Sequence, residues 1–266
     1  MNDWITADAE SLIEMAAAFI TATAYLAVAE RGRFNLVLAG GNTPRRLYRK
    51  LDTGIDAKHL AEFGYTPPGA ESPEKPNPAA ITLPWRSTVL FQGDERYVPV
   101  SHPDSNYGMA RDMLIRPRCT PPGNIFRMPV ESGNPAEDAL RYETMLRGHF
   151  RLGRTGGMKG FPPFDLVMLG LGSDGHTASL FPHDRRALEE RRRWVIDIDA
   201  PPEATPPGKR LTLTLPAINH ASNVMFLVPA DRYRLARSIH NGEHPELPAG
   251  MVRPVNGKAL WFVAEP

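Results

Sequence analysis

Apolar positions along the chain switch repeatedly between two periods. Leu12, Ile13, Ala16, Phe19, Ile20, Thr23, Ala24 and Ala27 recur at helical spacing, so a helix is expected to start near Asp8 and end at Gly32. "FNLVLAGG" follows as a short apolar run closed by two glycines, which reads as a strand buried on both faces. "TPRRLYRKL" is a helix with Thr43 as N-cap and Pro44 at the first helical position. "STVLF" (Ser87–Phe91) and "FDLVML" (Phe164–Leu169) are further strands, and "WVIDI", "RLTLTL", "NVMFLV" and "ALWFV" are strand candidates. Helices are expected over "SNYGMARDMLI", over "NPAEDALRYETMLRGHFRL" with Asn134 as N-cap and Pro135 next, and over "DRYRLARSIH".

Apolar strands alternating with helices predict an α/β, Rossmann-like fold. Its sheet is mostly parallel, with helices on both faces, in one domain over residues 1–266. Between Thr53 and Arg86 the text changes: six prolines fall between Pro67 and Pro84, and the stretch reads as an irregular surface insertion. Folds of this kind carry their sites at the carboxyl ends of strands. Three informative stretches are expected there: "GGNTP" after Ala39, "GDER" after Gln92 and "GLGSDGHT" after Leu169. "RLTLTLP" is a fourth candidate.

Composition narrows the function classes. The net charge is +1, from 31 basic and 30 acidic residues, so nothing points to nucleic acid or an anionic membrane surface, and an anionic ligand must be held by local charge. A single cysteine, Cys119, excludes an internal disulfide and a cysteine metal cluster, and is consistent with a cytoplasmic location. The uncharged stretch Met15–Ala29 is shorter than the about 20 apolar residues of a membrane span. Asp3, Asp8, Glu10 and Glu14 precede it, unlike the basic start of a secretory signal. It is expected to be a buried first helix.

Each motif has a plain reading beside its chemical one. Gly170, Gly172 and Gly175 match the dinucleotide pattern G-x-G-x-x-G, but that pattern needs a long helix next and Pro182 ends any helix early. The alternatives are a tight strand-to-helix turn, or glycines that let the backbone approach a ligand and aim His176 at it, histidine being able to take and return a proton near neutrality. "AGGNTPRRLY" lacks the lysine of a nucleotide triphosphate loop, yet two glycines before a helix make an anion site as readily as a plain turn. "GDER" in isolation reads as a solvated turn, and at most two of Asp94, Glu95 and Arg96 can face one ligand. Lys209 and Arg210 open an otherwise uncharged strand, either as edge charges or as a grip on phosphate. His240 and His244 read as a helix ending at Gly242, with no third metal ligand. No nucleophile elbow is present, and Cys119 lies in the loop-like "RPRCTPP", so a covalent nucleophile is not indicated.

Taken in order, "GGNTPRRLY", "GDERYVPVSHPDSNYGMAR", "LGLGSDGHTASLFP", "RLTLTLPAIN" and "VRPVNGKALWFV" resemble the 6-phosphogluconolactonase family, which belongs with glucosamine-6-phosphate deaminases and ribose-5-phosphate isomerase-like folds. The resemblance runs from about Phe34 to Val263, and "LGLGSDGHTASLFP" is its most specific part. Asn42 stands where a serine is common, "FVAEP" lacks an aspartate that often follows the last strand, and the proline-rich insertion is unusual. The resemblance implies hydrolysis of 6-phosphoglucono-1,5-lactone in the oxidative pentose phosphate pathway, with His176, Asp94 and Arg96 as catalytic residues. Gly40, Gly41, Asn42, Thr43, Gly172 and Arg210 would hold the substrate and its phosphate, with Lys209 and Lys258 as further candidates. Neither cofactor nor metal is implied, since a lactone is already reactive, and the partner is the small sugar-phosphate lactone. Two rivals are a sugar-phosphate isomerase or deaminase, which would use Asp94 to move a proton at carbon, and a non-catalytic sensor, which would have no use for His176.

Overall fold

The computed structural model describes residues 3–67, 80–115, 120–150 and 160–266. Its frame is a seven-stranded sheet in which every pairing is parallel. The strands are β1 (Trp4–Ala7), β2 (Phe34–Leu38), β3 (Thr88–Gln92), β5 (Ile125–Phe126), β6 (Leu166–Leu169), β9 (Asn223–Val228) and β10 (Lys258–Ala264), in the spatial order β1-β10-β9-β6-β2-β3-β5. All residues of β2, β3 and β6 are buried, as their continuous apolar text requires of strands covered on both faces.

The helix α1 (Ala9–Arg31) ends where its sequence signals stand. Asp8 Oδ1 accepts the Glu10 and Ser11 N–H groups at 2.9 and 3.0 Å, and Gly32, at φ 75°, returns its N–H to the Val28 carbonyl. At 23 residues α1 is longer than the uncharged stretch inside it, and it is long and apolar enough to cross a membrane. Yet 56% of that apolar window is buried within the protein, with Phe19 packed on Phe63 and Phe262.

Two strand candidates form a sheet of their own, and three expectations are corrected. "WVIDI" and "RLTLTL" do not join the parallel sheet: as β7 (Val195–Ala200) and β8 (Gly208–Leu213) they pair antiparallel with each other, and β8 pairs antiparallel with β4 (Asp94–Arg96). "GDER" is therefore a buried strand rather than a solvated turn, with Asp94 and Glu95 6% and 1% exposed. The cause is the apolar face of this small sheet: Val195, Ile198, Leu211 and Leu213 enter the same core as Val167 and Phe226. Thr43 occupies the cap position of α2 (Pro44–Thr53) but its side chain makes no capping bond, because its own backbone is already helical (φ −58°, ψ −44°). The stretch from Thr53 to Arg86 is not wholly irregular. Asp56 caps a short helix, α3 (Ala57–Ala61), Ile55 and Ile81 exchange backbone bonds at 2.9 and 2.8 Å, and Leu60, Phe63 and Leu83 belong to the core. The rest of the insertion, residues 68–79, and the loop carrying Cys119 lie outside the described residues.

From β2 the chain proceeds to β3 and β5 on one side of the sheet, while β6, β9 and β10 lie on the other. The gap beyond the carboxyl ends of β2 and β6 is thus a topological switch point, where loops diverge and leave a crevice.

Candidate active site

A cavity of about 180 Å³ occupies that crevice. Its walls come from the loop after β2 (Ala39–Thr43), the stretch after β3 (Gly93, Asp94, Arg96), the loop after β6 (Gly170–Gly172, His176–Ala178) and Arg210 of β8. Gly40, Gly41, Asn42, Thr43, Asp94, Arg96, Gly172, His176 and Arg210 therefore all meet in one place.

The β6 loop is built to hold one imidazole. Gly172 donates its N–H to the His176 carbonyl at 2.9 Å, and Gly175 donates to the Gly172 carbonyl at 3.1 Å. The His176 ring lies directly on Gly172: a Cβ there would stand 2.2 Å from Cε1 and Nδ1. Asp174 Oδ1 accepts the His176 N–H at 3.1 Å and sits 2.6 Å from its Nδ1. Burial pushes the Asp174 carboxyl up, but the hydrogen bonds from the His176 ring and backbone outweigh it and hold the group below the usual range. With Asp174 Oδ1 placed to accept from Nδ1, the neutral ring would carry its lone pair on Nε2. The ring also packs on Phe181, with centroids 4.7 Å apart.

Of the three neighbouring charges, Asp94 and Arg96 line the cavity and Glu95 does not. Glu95 instead accepts from the Arg96, Asn106 and Tyr107 N–H groups, the Gln92 amide and the Ser105 hydroxyl, so it anchors the start of α4 (Asn106–Ala110). Burial raises its pKa and these hydrogen bonds oppose the rise. Asp94 is held from both sides: the Ser179 hydroxyl donates to Oδ2 at 2.7 Å and the Asn106 amide donates to Oδ1 at 3.2 Å.

Two arginines line the cavity. Among the described residues, nothing accepts the buried Nε–H of Arg96 or of Arg210. Arg96 is braced through Nη1 on the Asp104 carbonyl and Arg210 through Nη2 on the Pro206 carbonyl, at 2.8 and 2.7 Å. Arg210 lies over the Phe181 ring, 5.4 Å from its centroid. Burial pulls the Arg210 pKa down, against the pull of Asp94. Of the further phosphate candidates, Lys209 pairs with Asp199 at 3.1 Å and Lys258 lines a separate groove at the other end of the sheet. His240 and His244 pair with Asp3 and Glu246, respectively.

Sequence reading missed the residues that hold others in place: Asp174, Ser179, Asn106 and Tyr48, whose hydroxyl donates to the Ala39 carbonyl at 2.6 Å. Only Asp174 had a local signal, as a carboxylate two positions before the histidine.

A sequence model described as glucosamine-6-phosphate isomerases/6-phosphogluconolactonase matches residues 7–261. The chain belongs to this family. It is similar to a 6-phosphogluconolactonase of Synechocystis sp., 37% identical over 95% of this chain and 90% of that one. To the human 6-phosphogluconolactonase it is 36% identical over 88% and 80%. A solved structure, the 6-phosphogluconolactonase of Trypanosoma cruzi, superposes with a TM-score of 0.77 at 26% identity, covering 100% of this chain and 94% of that one.

Proposed function

We propose that the chain hydrolyses 6-phosphoglucono-1,5-lactone to 6-phosphogluconate, as an enzyme of the oxidative pentose phosphate pathway. The carrying observation is the Asp174-oriented His176 facing a cavity it shares with Arg96 and Arg210. Water adds to the lactone carbonyl as Nε2 of His176 takes its proton. The bond to the ring oxygen then breaks, and the imidazolium returns the proton to that oxygen. Asp174 keeps the correct tautomer and stabilises the imidazolium.

The phosphate sits over the start of α2. The Tyr48 hydroxyl holds the Ala39 carbonyl, and the planar trans peptide then directs the Gly40 N–H the opposite way. Gly40, Gly41, Asn42 and Thr43 supply N–H or side-chain donors. The helix N-terminus is worth up to about 1 kcal/mol when exposed and about 2 when partly buried, and Arg210 adds about 1.5–3 kcal/mol through a charge-assisted bond. Arg96 supplies positive charge between the two ends of the substrate. The single cysteine supports a reducing, cytoplasmic setting.

The isomerase and deaminase reading needs Asp94 as a base at carbon. Hydrogen bonds from Ser179 and Asn106 to its two oxygens favour a positioning and electrostatic role instead. The test is an assay on fresh lactone without added metal or nucleotide. Ring opening faster than the spontaneous rate supports the reading. Equal rates with and without protein, together with ammonia released from glucosamine 6-phosphate, would overturn it. Deuterium at the carbon beside the carbonyl is expected to cause no large isotope effect on lactone turnover, since no carbon–hydrogen bond breaks.

A further inference from the structure

Lactone hydrolysis passes through a tetrahedral intermediate. The oxygen of water bonds to the carbonyl carbon, a proton leaves that water for His176 Nε2, and the carbonyl electron pair moves onto the exocyclic oxygen. When the ring C–O bond breaks, that pair re-forms the carbonyl. A site that takes a proton from water without stabilising the new oxyanion has done half of the electrostatic work. The His176–Asp174 pair addresses only the proton.

The loop after β6 offers a donor for the other half. Leu171 lines the cavity, one residue before the glycine on which the His176 ring rests. It is 8% exposed, and among the described residues no group accepts its N–H. Buried backbone N–H groups are almost always paired, so one without a protein acceptor at a cavity wall is free to donate to a ligand. Its direction is set by a specific contact. The hydroxyl of Thr177, 1% exposed, donates to the Gly170 carbonyl at 2.9 Å. That carbonyl and the Leu171 N–H belong to one planar trans peptide and point opposite ways. Tying the carbonyl down aims the N–H away from Thr177.

Thr177 is itself fixed. Its carbonyl accepts the Leu180 N–H at 2.9 Å, and Ala178 beside it adopts φ 49°, a left-handed backbone that costs a residue with a Cβ and persists where surroundings demand it. The short turn thereby carries the His176 imidazole and the hydroxyl that orients the Gly170–Leu171 peptide in adjacent positions.

We propose that the Leu171 N–H is the oxyanion donor of the hydrolytic step and that Thr177 is the positioning residue that aims it. This rests on the lactonase reading. The test separates the two. Wild-type protein is assayed on the lactone beside Thr177→Val, Thr177→Ser and a chain carrying the α-hydroxy analogue of leucine at 171, which replaces the amide N–H by an ester oxygen. The expected result is a loss of about 10²–10³ in kcat for the ester, the size seen when one oxyanion donor is removed. Thr177→Val should lose at least about tenfold in kcat, and Thr177→Ser, which keeps the hydroxyl, should recover most of it. KM and the affinity for 6-phosphogluconate should move less than threefold or so in each, because the donor acts on charge that exists only in the transition state. The pH profile should keep its shape, since the His176–Asp174 pair is untouched. An active wild type with an ester chain of undiminished kcat overturns the inference and leaves the lactonase reading standing. Equal losses in Thr177→Val and Thr177→Ser overturn the role of the hydroxyl. If Thr177→Val does not fold, the ester chain and Thr177→Ser decide the outcome. A wild type that does not open the lactone overturns both.

Discussion

The loops that leave β2 and β6 start side by side at the same switch point, both rich in glycine, and they are built differently. The β2 loop is thinly tied. Asn42 is exposed, its side chain only accepts from Arg45 Nε at 3.1 Å, and the main anchor beneath the loop is the Tyr48 bond to Ala39. The β6 loop is cross-linked at nearly every position: through Gly172, Asp174, Thr177 and Leu180 within itself, through Ser179 to Asp94 and Thr212, and through the Gly175 carbonyl to the Ala249 N–H at 3.1 Å. Binding an anion needs several N–H donors pointing roughly one way, and small shifts cost little. General acid–base chemistry needs one imidazole within hydrogen-bond reach of a particular proton. The contrast in cross-linking fits the roles proposed for the two loops.

Breaking the β6 loop should have the largest effect. His176→Ala removes the proposed acid–base group and should lower kcat about 10²–10⁴-fold with the fold intact. Gly172→Ala should approach the same loss although no functional atom is removed, because its Cβ would stand 2.2 Å from the ring and the imidazole must leave its place. Circular dichroism and lactone kinetics on both variants check this. A Gly172→Ala enzyme with full kcat would mean that the ring position does not matter.

Breaking the anion side should act mainly on KM. If Arg210 grips the phosphate as proposed, Arg210→Ala should remove about 1.5–3 kcal/mol of charge-assisted binding, roughly 10- to 150-fold in KM. The effect on kcat should be smaller, because in the proposed pose the phosphate lies away from the reacting carbonyl. The preference for the phosphorylated lactone over plain gluconolactone should shrink in step. A crystal soaked with 6-phosphogluconate gives the direct check: phosphate far from both Pro44 and Arg210 would end this assignment.

Tyr48→Phe sharpens the comparison further. The hydroxyl is worth about 1 kcal/mol, so roughly a fivefold rise in KM with little change in kcat is expected, measured by steady-state kinetics. An equal fall in kcat would show that the β2 loop also positions the reacting end.

The smallest effect on turnover should come from the opposite end of the sheet, where His149 packs against Phe91, Phe126 and Phe150 and bonds to Asn35 Oδ1 at 2.9 Å. Burial first, then Arg33, depresses its pKa from 6.5 to about 4. The unfolded chain therefore binds one more proton between those values. This contribution to stability is complete above about pH 6.5 and falls toward pH 4, with a slope of at most about 1.4 kcal/mol per pH unit. His149→Gln should flatten that slope in denaturant titrations and leave kcat at neutral pH unchanged.

The sequence by itself determined the elements that carry their own signals. Asp8 and Gly32 bracket α1, the continuous apolar runs of β2, β3 and β6 specify strands covered on both faces, and glycines before His176 mark where the backbone must turn tightly. These are local facts, set by period, cap and steric freedom. Only the tertiary structure decided the rest. Trp4–Ala7 is a strand because β10 accepts it as an edge partner, and nothing in four residues of mixed polarity foretells that. Asp94, Glu95 and Arg96 look like solvated charges until β8 pairs with them and Ser179 and Asn106, 85 and 12 positions away, complete the Asp94 shell. Whether a charge is a surface ornament or part of a site depends on what the fold brings within hydrogen-bond distance of it, and such partners are set by packing between elements rather than by neighbours in the chain.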